Sequence, residues 1–92
     1  MYNIAYTQEA KDRIARLDNR TKRQIKNAIE RISRNPEIGK RLLFELSGLI
    51  SYRTNDYRII YRIYHKEILI LILAIGHRKD IYKSLKRRIA RG

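Results

Sequence analysis

Length and charge set the first limits on this chain. Its 92 residues are enough for one small domain, residues 1–92, and too few for two independent hydrophobic cores. Lysine and arginine number 22 and aspartate and glutamate number 9, so the net charge is +13. Solubility alone needs a net charge of about 2 to 8 on a small domain. The excess favours a polyanionic partner, and the alternative is a solvated basic surface.

The composition also excludes several classes of site. There is no cysteine, which removes disulfides, thiolate nucleophiles and zinc–thiolate sites and is compatible with a reducing cytoplasm. The first residues are too few and too polar to form the apolar core of a secretory signal. The most apolar run, residues 68–75, is eight residues long. Because a bilayer span needs about 20 residues, this run predicts a buried strand and no membrane partner.

The first half of the chain predicts a strand and two helices. Residues 1–6 form the strand, and Thr7 can cap the helix that follows. A break at Asp18 precedes a longer basic helix over residues 20–34, which ends before Pro36. The apolar residues at helical spacing are Ala10, Ile14 and Leu17 in the first helix and Ile25, Ala28, Ile29 and Ile32 in the second.

The second half predicts strands and a basic tail. Residues 37–48 form a connector with an apolar patch at residues 42–44. The predicted strands are residues 49–54, 57–64 and 68–75, joined by hairpin turns. Residues 80–91 predict a short basic helix. The fold class is therefore α+β, with the N-terminal strand and two-helix hairpin packed on an antiparallel meander. The last strand would run through the middle of the sheet, and the opposite sheet face would stay free for function.

That free face carries cations. Because strand side chains alternate, Arg58 and Arg62 share one side, and Arg53 on the preceding strand can converge with them. A guanidinium group binds phosphate through two parallel hydrogen bonds, and neighbouring tyrosine rings offer stacking surfaces. The pattern therefore indicates nucleic-acid binding. The alternative is a solvent-facing sheet with scattered arginines.

Three residues beyond the last strand are candidates for chemistry. His77 can exchange a proton near neutral pH, and Arg78 can stabilise charge on a phosphoryl oxygen. Tyr82 can join them as a stacking ring or as a hydroxyl near a reacting ribose. The alternatives are a strand-capping role for His77 and packing at the sheet edge for Tyr82. The further residues predicted to bind RNA are Arg53, Arg62, Lys79, Lys83, Lys86 and Arg87.

Other kinds of chemistry find no support in the sequence. The carboxylates are scattered, with no histidine or aspartate spacing that would assemble a two-metal nuclease centre. No glycine-rich phosphate loop is present. We therefore expect no metal and no cofactor, and any RNA cleavage should use the 2′-hydroxyl of the RNA as the nucleophile.

Two sequence blocks carry a family resemblance. R-x-x-D-Y-R-I-I-Y begins at Arg53, and G-H-R-x-x-x-Y begins at Gly76. Together with the two early helices, these blocks resemble the RelE/ParE superfamily of toxins from type II toxin–antitoxin systems. The resemblance implies a RelE-like fold over nearly the whole chain.

The resemblance also implies roles for individual residues. Arg58 is similar to the family arginine that contacts the scissile phosphate, and Arg78 to the arginine that stabilises the transition state. Tyr82 is similar to the tyrosine that stacks on a base or assists proton transfer. The best-known RelE enzymes carry two lysines where this chain has Leu49 and Ser51. His77 is the candidate that compensates for them in proton transfer.

Two activities are compatible with that resemblance. The leading hypothesis is a ribosome-dependent endonuclease that cuts mRNA in the ribosomal A site. The alternatives are a ParE-like poison of DNA gyrase without nuclease activity and a non-toxic RNA-binding relative. The implied partners are the ribosome, mRNA and a cognate antitoxin that forms a hetero-oligomer with the toxin and often displaces its C-terminal helix. Both target and antitoxin imply a cytoplasmic protein.

Overall fold

A computed structural model describes residues 1–91 and contains three helices and five strands. The strands are β1 (Asn3–Tyr6), β2 (Lys40–Arg41), β3 (Ile50–Thr54), β4 (Tyr57–Tyr64) and β5 (Leu69–His77). The helices are α1 (Gln8–Arg16), α2 (Asn19–Arg34) and α3 (Ile81–Arg91), and single 3₁₀ turns span Pro36–Ile38 and Phe44–Leu46. No helix in this part of the chain is both long enough and apolar enough to cross a bilayer.

Side-chain caps start both early helices. The Thr7 hydroxyl accepts a hydrogen bond from the Ala10 amide at 3.2 Å, as the sequence predicted, and donates one to the Leu73 carbonyl at 2.8 Å. The Asp18 carboxylate accepts from the Thr21 amide at 3.1 Å. Hydrogen bonding from the Thr21 side chain, and then from its amide, lowers the pKa of Asp18. The predicted break at Asp18 is therefore the N-cap of α2.

The strands form one mixed sheet in the order β1-β5-β4-β3-β2. Strands β3, β4 and β5 make the predicted antiparallel meander, and β5 lies inside the sheet between β1 and β4. Strand β1 runs parallel to β5. The sheet is therefore mixed, whereas the sequence predicted an antiparallel sheet. Strand β2, which lies within the predicted connector, pairs with β3. The α+β fold class is confirmed, with these two additions to the sheet.

Both faces of the sheet are covered by helices. Helices α1 and α2 pack on the face that carries Ile59 and Tyr61, both 0% exposed. Helix α3 packs on the other face, where Ile81 and Leu85 contact the cluster around Ile60. The prediction that the second face stays free was therefore wrong over this part of the sheet. The apolar residues of the C-terminal tail cover it, because their burial releases water from the strand beneath them.

Tyr61 links the sheet to the segment before β2. Its hydroxyl donates a hydrogen bond to the Pro36 carbonyl at 2.6 Å and accepts one from the Gly39 amide at 3.3 Å. Burial raises the pKa of Tyr61 to about 12. The neutral phenol is therefore the form that the folded state favours, because the ionised form would be poorly solvated in the core.

Tyr61→Phe should lower the free energy of unfolding at pH 7 by about 1–3 kcal/mol, because two partly buried backbone groups lose their hydrogen-bond partner. The difference in the free energy of unfolding between the unmodified protein and Tyr61→Phe should be complete below pH 10. It should decline between pH 10 and about 12, because the tyrosine ionises at lower pH in the unfolded state than in the folded state. Urea titrations across this range measure both effects. Tyr64→Phe, at an exposed position of the same strand, is the matched control and should change little. Equal stability of the two variants would contradict the conclusion that the hydrogen bonds of the Tyr61 hydroxyl stabilise the fold.

Candidate functional site

Strand register brings the predicted arginines together. Arg53 on β3 lies directly opposite Arg58 on β4, and Gly76 on β5 lies opposite Arg58 on its other side. Side chains that are directly opposite project from the same sheet face, so Arg53 and Arg58 share one face. Gly76 has no side chain there, and a Cβ at its position would lie 2.7 Å from Ile81 Cδ1. Gly76 thus lets α3 approach the sheet beside Arg58.

Ser51 connects Arg58 to Tyr82. Nη1 of Arg58 donates a hydrogen bond to Ser51 Oγ at 3.3 Å, and the Tyr82 hydroxyl donates to the same oxygen at 2.8 Å. The guanidinium carbon of Arg58 lies 5.5 Å from the centre of the Tyr82 ring, within cation–π range. Residues from β3, β4 and α3 therefore form one cluster, which we call the Arg58 cluster: Ser51, Arg58 and Tyr82.

Arg58 retains unused binding capacity. Its side chain is half-buried, and its Nε atom is buried with no hydrogen-bond partner among the described residues. Buried polar atoms are nearly always paired in folded proteins. A guanidinium group remains charged at all physiological pH values and binds carboxylate or phosphate oxygens with two parallel donors. The arrangement is suited to an anion that approaches the cluster.

A cationic groove of about 410 Å³ adjoins this cluster. Arg58 and Tyr82 line it together with Lys40, Arg41, Lys86, Glu45 and the apolar residues Leu42, Leu43, Phe44 and Leu46. Lys86 Nζ lies 3.3 Å from Glu45 Oε1. A backbone hydrogen bond and the Lys86 ammonium lower the pKa of Glu45, so this carboxylate stays ionised and offsets one cation. We call this feature the Arg58 groove.

Arg53 and Arg78 lie at the rim formed by the turn between β3 and β4. Arg53 Nε donates to the Asn55 carbonyl at 3.1 Å. Arg78 is exposed, its Nε lies 3.7 Å from Asp56 Oδ1, and its amide donates to the Asp56 carbonyl at 2.8 Å. The structure therefore places both arginines at the end of the sheet where Arg58 lies, with their charged groups accessible to solvent.

His77 lies on the opposite face from the Arg58 cluster. It is directly opposite Tyr57, and the two rings meet edge to face with centroids 6.2 Å apart. Its side chain lines a cleft against α1 that also contains Asp12. The physical reason is strand alternation: Gly76 shares the face of Arg58, so the next residue points to the other side. The structure does not bring His77 to the residues with which it was predicted to act.

The remaining predicted cations are distributed more widely. Arg62 is four residues beyond Arg58 along β4 and lines a separate cleft near His65. Lys86 reaches the Arg58 groove. The other predicted cations, Lys79, Lys83 and Arg87, are exposed on and before α3. They add positive charge without joining the cluster.

Sequence reasoning missed Lys40 as a site residue. Lys40 is directly opposite Ser51, so it projects from the face of the Arg58 cluster. Leu49 is 4% exposed and Ser51 is 2% exposed, so neither position is open to solvent in this packing. Lys40 supplies a cation from the neighbouring strand instead. The sequence contains little indication of this strand, because two residues are too few to show an alternation of polar and apolar side chains. In the described part of the chain, no group of three or more histidine or carboxylate side chains could hold a metal.

Comparison with known proteins agrees with this architecture. Residues 4–82 match the model of the ParE toxin family of type II toxin–antitoxin systems. The chain is 43% identical over 53 residues to Toxin RelG of Mycobacterium tuberculosis, covering 56% of this chain and 61% of that protein. The chain therefore spans less than two thirds of the length of this curated relative.

Solved structures extend the similarity to nearly the whole chain. The toxin–antitoxin complex RelBE2 from Mycobacterium tuberculosis contains a chain that is 33% identical, with a TM-score of 0.77. This match covers 84% of our chain and 98% of that one. The isolated E. coli RelE toxin is 17% identical with a TM-score of 0.74, covering 97% and 99% of the two chains. The family match and the 33% identical structure together show that this chain belongs to the RelE/ParE superfamily of type II toxin–antitoxin toxins.

Proposed function

We propose that this toxin is a ribosome-dependent endoribonuclease that cuts mRNA in the ribosomal A site without a metal ion. The observation that carries the proposal is the Arg58 cluster, in which a half-buried guanidinium with an unpartnered Nε lies beside a phenol hydroxyl. A charged donor and a hydroxyl at one groove suit a phosphodiester and its ribose.

The proposed chemistry uses the RNA's own nucleophile. The 2′-oxygen loses its proton and forms a bond to the adjacent phosphorus, while the bond from phosphorus to the 5′-oxygen breaks and the 5′-oxygen gains a proton. The products are a 2′,3′-cyclic phosphate and a 5′-hydroxyl. Arg58 binds the non-bridging oxygens, and Arg78 approaches from the rim as negative charge develops. Tyr82 exchanges its hydrogen bond to Ser51 for one to the RNA and assists proton transfer. Lys40 provides a further cation on the same face.

The proposed partners follow from charge and from the similar structures. The RelBE2 chain was solved in a complex with its antitoxin. A net charge of +13 favours an acidic protein in the same role here, as a hetero-oligomer that covers the Arg58 groove. We place the toxin in the cytoplasm, where ribosomes and mRNA are found.

A second candidate function is poisoning of DNA gyrase by binding alone. The family model that matches residues 4–82 describes ParE toxins, and this favours the second candidate. The two functions differ in their need for Arg58 and Tyr82, because a binding poison requires no phosphate-directed donor and hydroxyl at one groove.

Primer extension on a message translated by purified ribosomes tests the first proposal. The unmodified toxin should produce sharp cuts at A-site codons, and Arg58→Ala should reduce their rate about 10²- to 10³-fold, because a charge-stabilising donor is lost. Arg23→Ala, an exposed arginine on α2, is the control and should cut normally. An uncut message together with inhibited gyrase supercoiling would favour the second candidate.

His77 and Tyr82 should respond differently to substitution. Tyr82→Phe keeps the ring and removes the hydroxyl, so single-turnover cleavage should fall about 10²-fold or more if the phenol assists proton transfer. His77→Ala should stay within about threefold of the unmodified rate, because its side chain lies on the other sheet face. Thermal unfolding of both variants checks that the fold is intact. A large loss in His77→Ala alone would contradict this assignment of proton transfer.

A further inference from the structure

One aromatic side chain that lines the Arg58 groove is almost fully exposed to solvent. Phe44 is 84% exposed and its neighbour Leu43 is 68% exposed, in the turn between β2 and β3. Large apolar side chains that face solvent side by side often mark a binding surface. Neither residue belongs to the two hydrophobic clusters of the core.

The turn holds the Phe44 ring outward. Phe44 has a backbone φ of 57°, a left-handed conformation that is uncommon for a bulky residue. Its carbonyl accepts hydrogen bonds from the Ser47 amide at 3.0 Å and the Ser47 hydroxyl at 2.8 Å. Leu46, two residues later, is 5% exposed and anchors the turn in the cluster beneath α3. The ring is thus presented from an anchored turn.

Backbone conformation alone does not indicate function in this chain. Ile68 also has a positive φ, 51°, and is 53% exposed, but it lies in the hairpin turn between β4 and β5. Phe44 differs in its location, because it lines the same groove as Arg58 and Tyr82. One ring in that groove already lies against a cation, since the Tyr82 ring is in cation–π range of Arg58.

The groove therefore combines the two features that single-stranded nucleic acids need. Lys40 and Arg58 provide positive charge for a sugar–phosphate backbone, and Phe44 provides an exposed ring for an unstacked base. A volume of about 410 Å³ is within the range of ligand-binding clefts. Charge favours RNA here, because Glu45, the carboxylate among the lining residues, is paired with Lys86.

We propose that Phe44 is a base-stacking residue, on which the base next to the Arg58-bound phosphate stacks. This inference rests on the proposed RNA-directed function and adds a residue that contacts the base and so influences which codons are cut. Stacking on an aromatic ring tolerates every base but is stronger for purines, whose ring system is larger.

A substitution series at Phe44 separates stacking from simple hydrophobic contact. In the ribosomal cleavage assay, Phe44→Ala and Phe44→Leu should each lower cleavage at subsaturating toxin about 5- to 150-fold, and Phe44→Tyr and Phe44→Trp should stay within about threefold. Ile68→Ala is the matched control, an exposed apolar residue at positive φ outside the groove, and should cut normally. Thermal unfolding of each variant confirms the fold.

A binding measurement makes the test independent of cleavage. A short single-stranded RNA carries 2-aminopurine next to a nucleotide whose 2′-hydroxyl is replaced by hydrogen, so the strand binds without being cut. The unmodified toxin should quench the 2-aminopurine fluorescence, and Phe44→Leu should lose this quenching. Quenching by the unmodified toxin without cleavage of any message would support stacking while refuting the nuclease.

Three results would overturn the inference. One is equal cleavage by the whole Phe44 series when Arg58→Ala is inactive, which would leave the nuclease proposal intact. Another is the absence of quenching by the unmodified toxin on both free RNA and programmed ribosomes. The third is a loss of affinity for the co-expressed antitoxin in Phe44→Leu with normal cleavage, which would assign the ring to protein docking.

Discussion

The burial of β4 on both of its faces is the constraint on which the rest of the structure depends. Ile59 and Ile60 are consecutive and both 0% exposed, yet they belong to different hydrophobic clusters, one beneath α1 and α2 and one beneath α3. A slip of one residue would exchange the two sets of side chains, so the register is set by apolar burial on two sides at once. Because Arg58 directly precedes Ile59, the same register fixes the position of Arg58 along the strand and the sheet face from which its side chain projects.

The same packing joins the fold to the candidate site. Helix α3 contributes Ile81 and Leu85 to the core and Tyr82 to the Arg58 cluster, so docking of the helix and assembly of the cluster are one event. This packing leaves a half-buried guanidinium whose Nε has no hydrogen-bond partner among the described residues, which lowers the stability of the folded state. Arg58 also lines the Arg58 groove, so the proposed phosphate would bind at this same side chain.

Sequence patterns predicted the helices, the meander and the meeting of Arg53 with Arg58, because these depend on local periodicity and on one tight turn. They could not predict the parallel pairing of β1 with β5, since no local signal links strands separated by most of the chain. They indicated a C-terminal helix without showing which face it covers. His77 was predicted to act with Arg78 because the two residues are adjacent in the sequence. The alternation of side chains along β5 instead places His77 on the sheet face opposite the Arg58 cluster. Lys40 was missed because β2 is too short to have a pattern.

The most direct test of the central claim is an NMR titration that follows the Nε–H signals of the arginine side chains. The titrant is a short single-stranded RNA with 2′-deoxy substitution at the nucleotide to be cut. The Arg58 signal should shift on addition of the RNA, while the signal of Arg23 on α2 changes little. An Arg58 signal that stays unchanged while exposed arginines shift together would contradict it, because binding would then be a diffuse charge effect without a phosphate at the cluster.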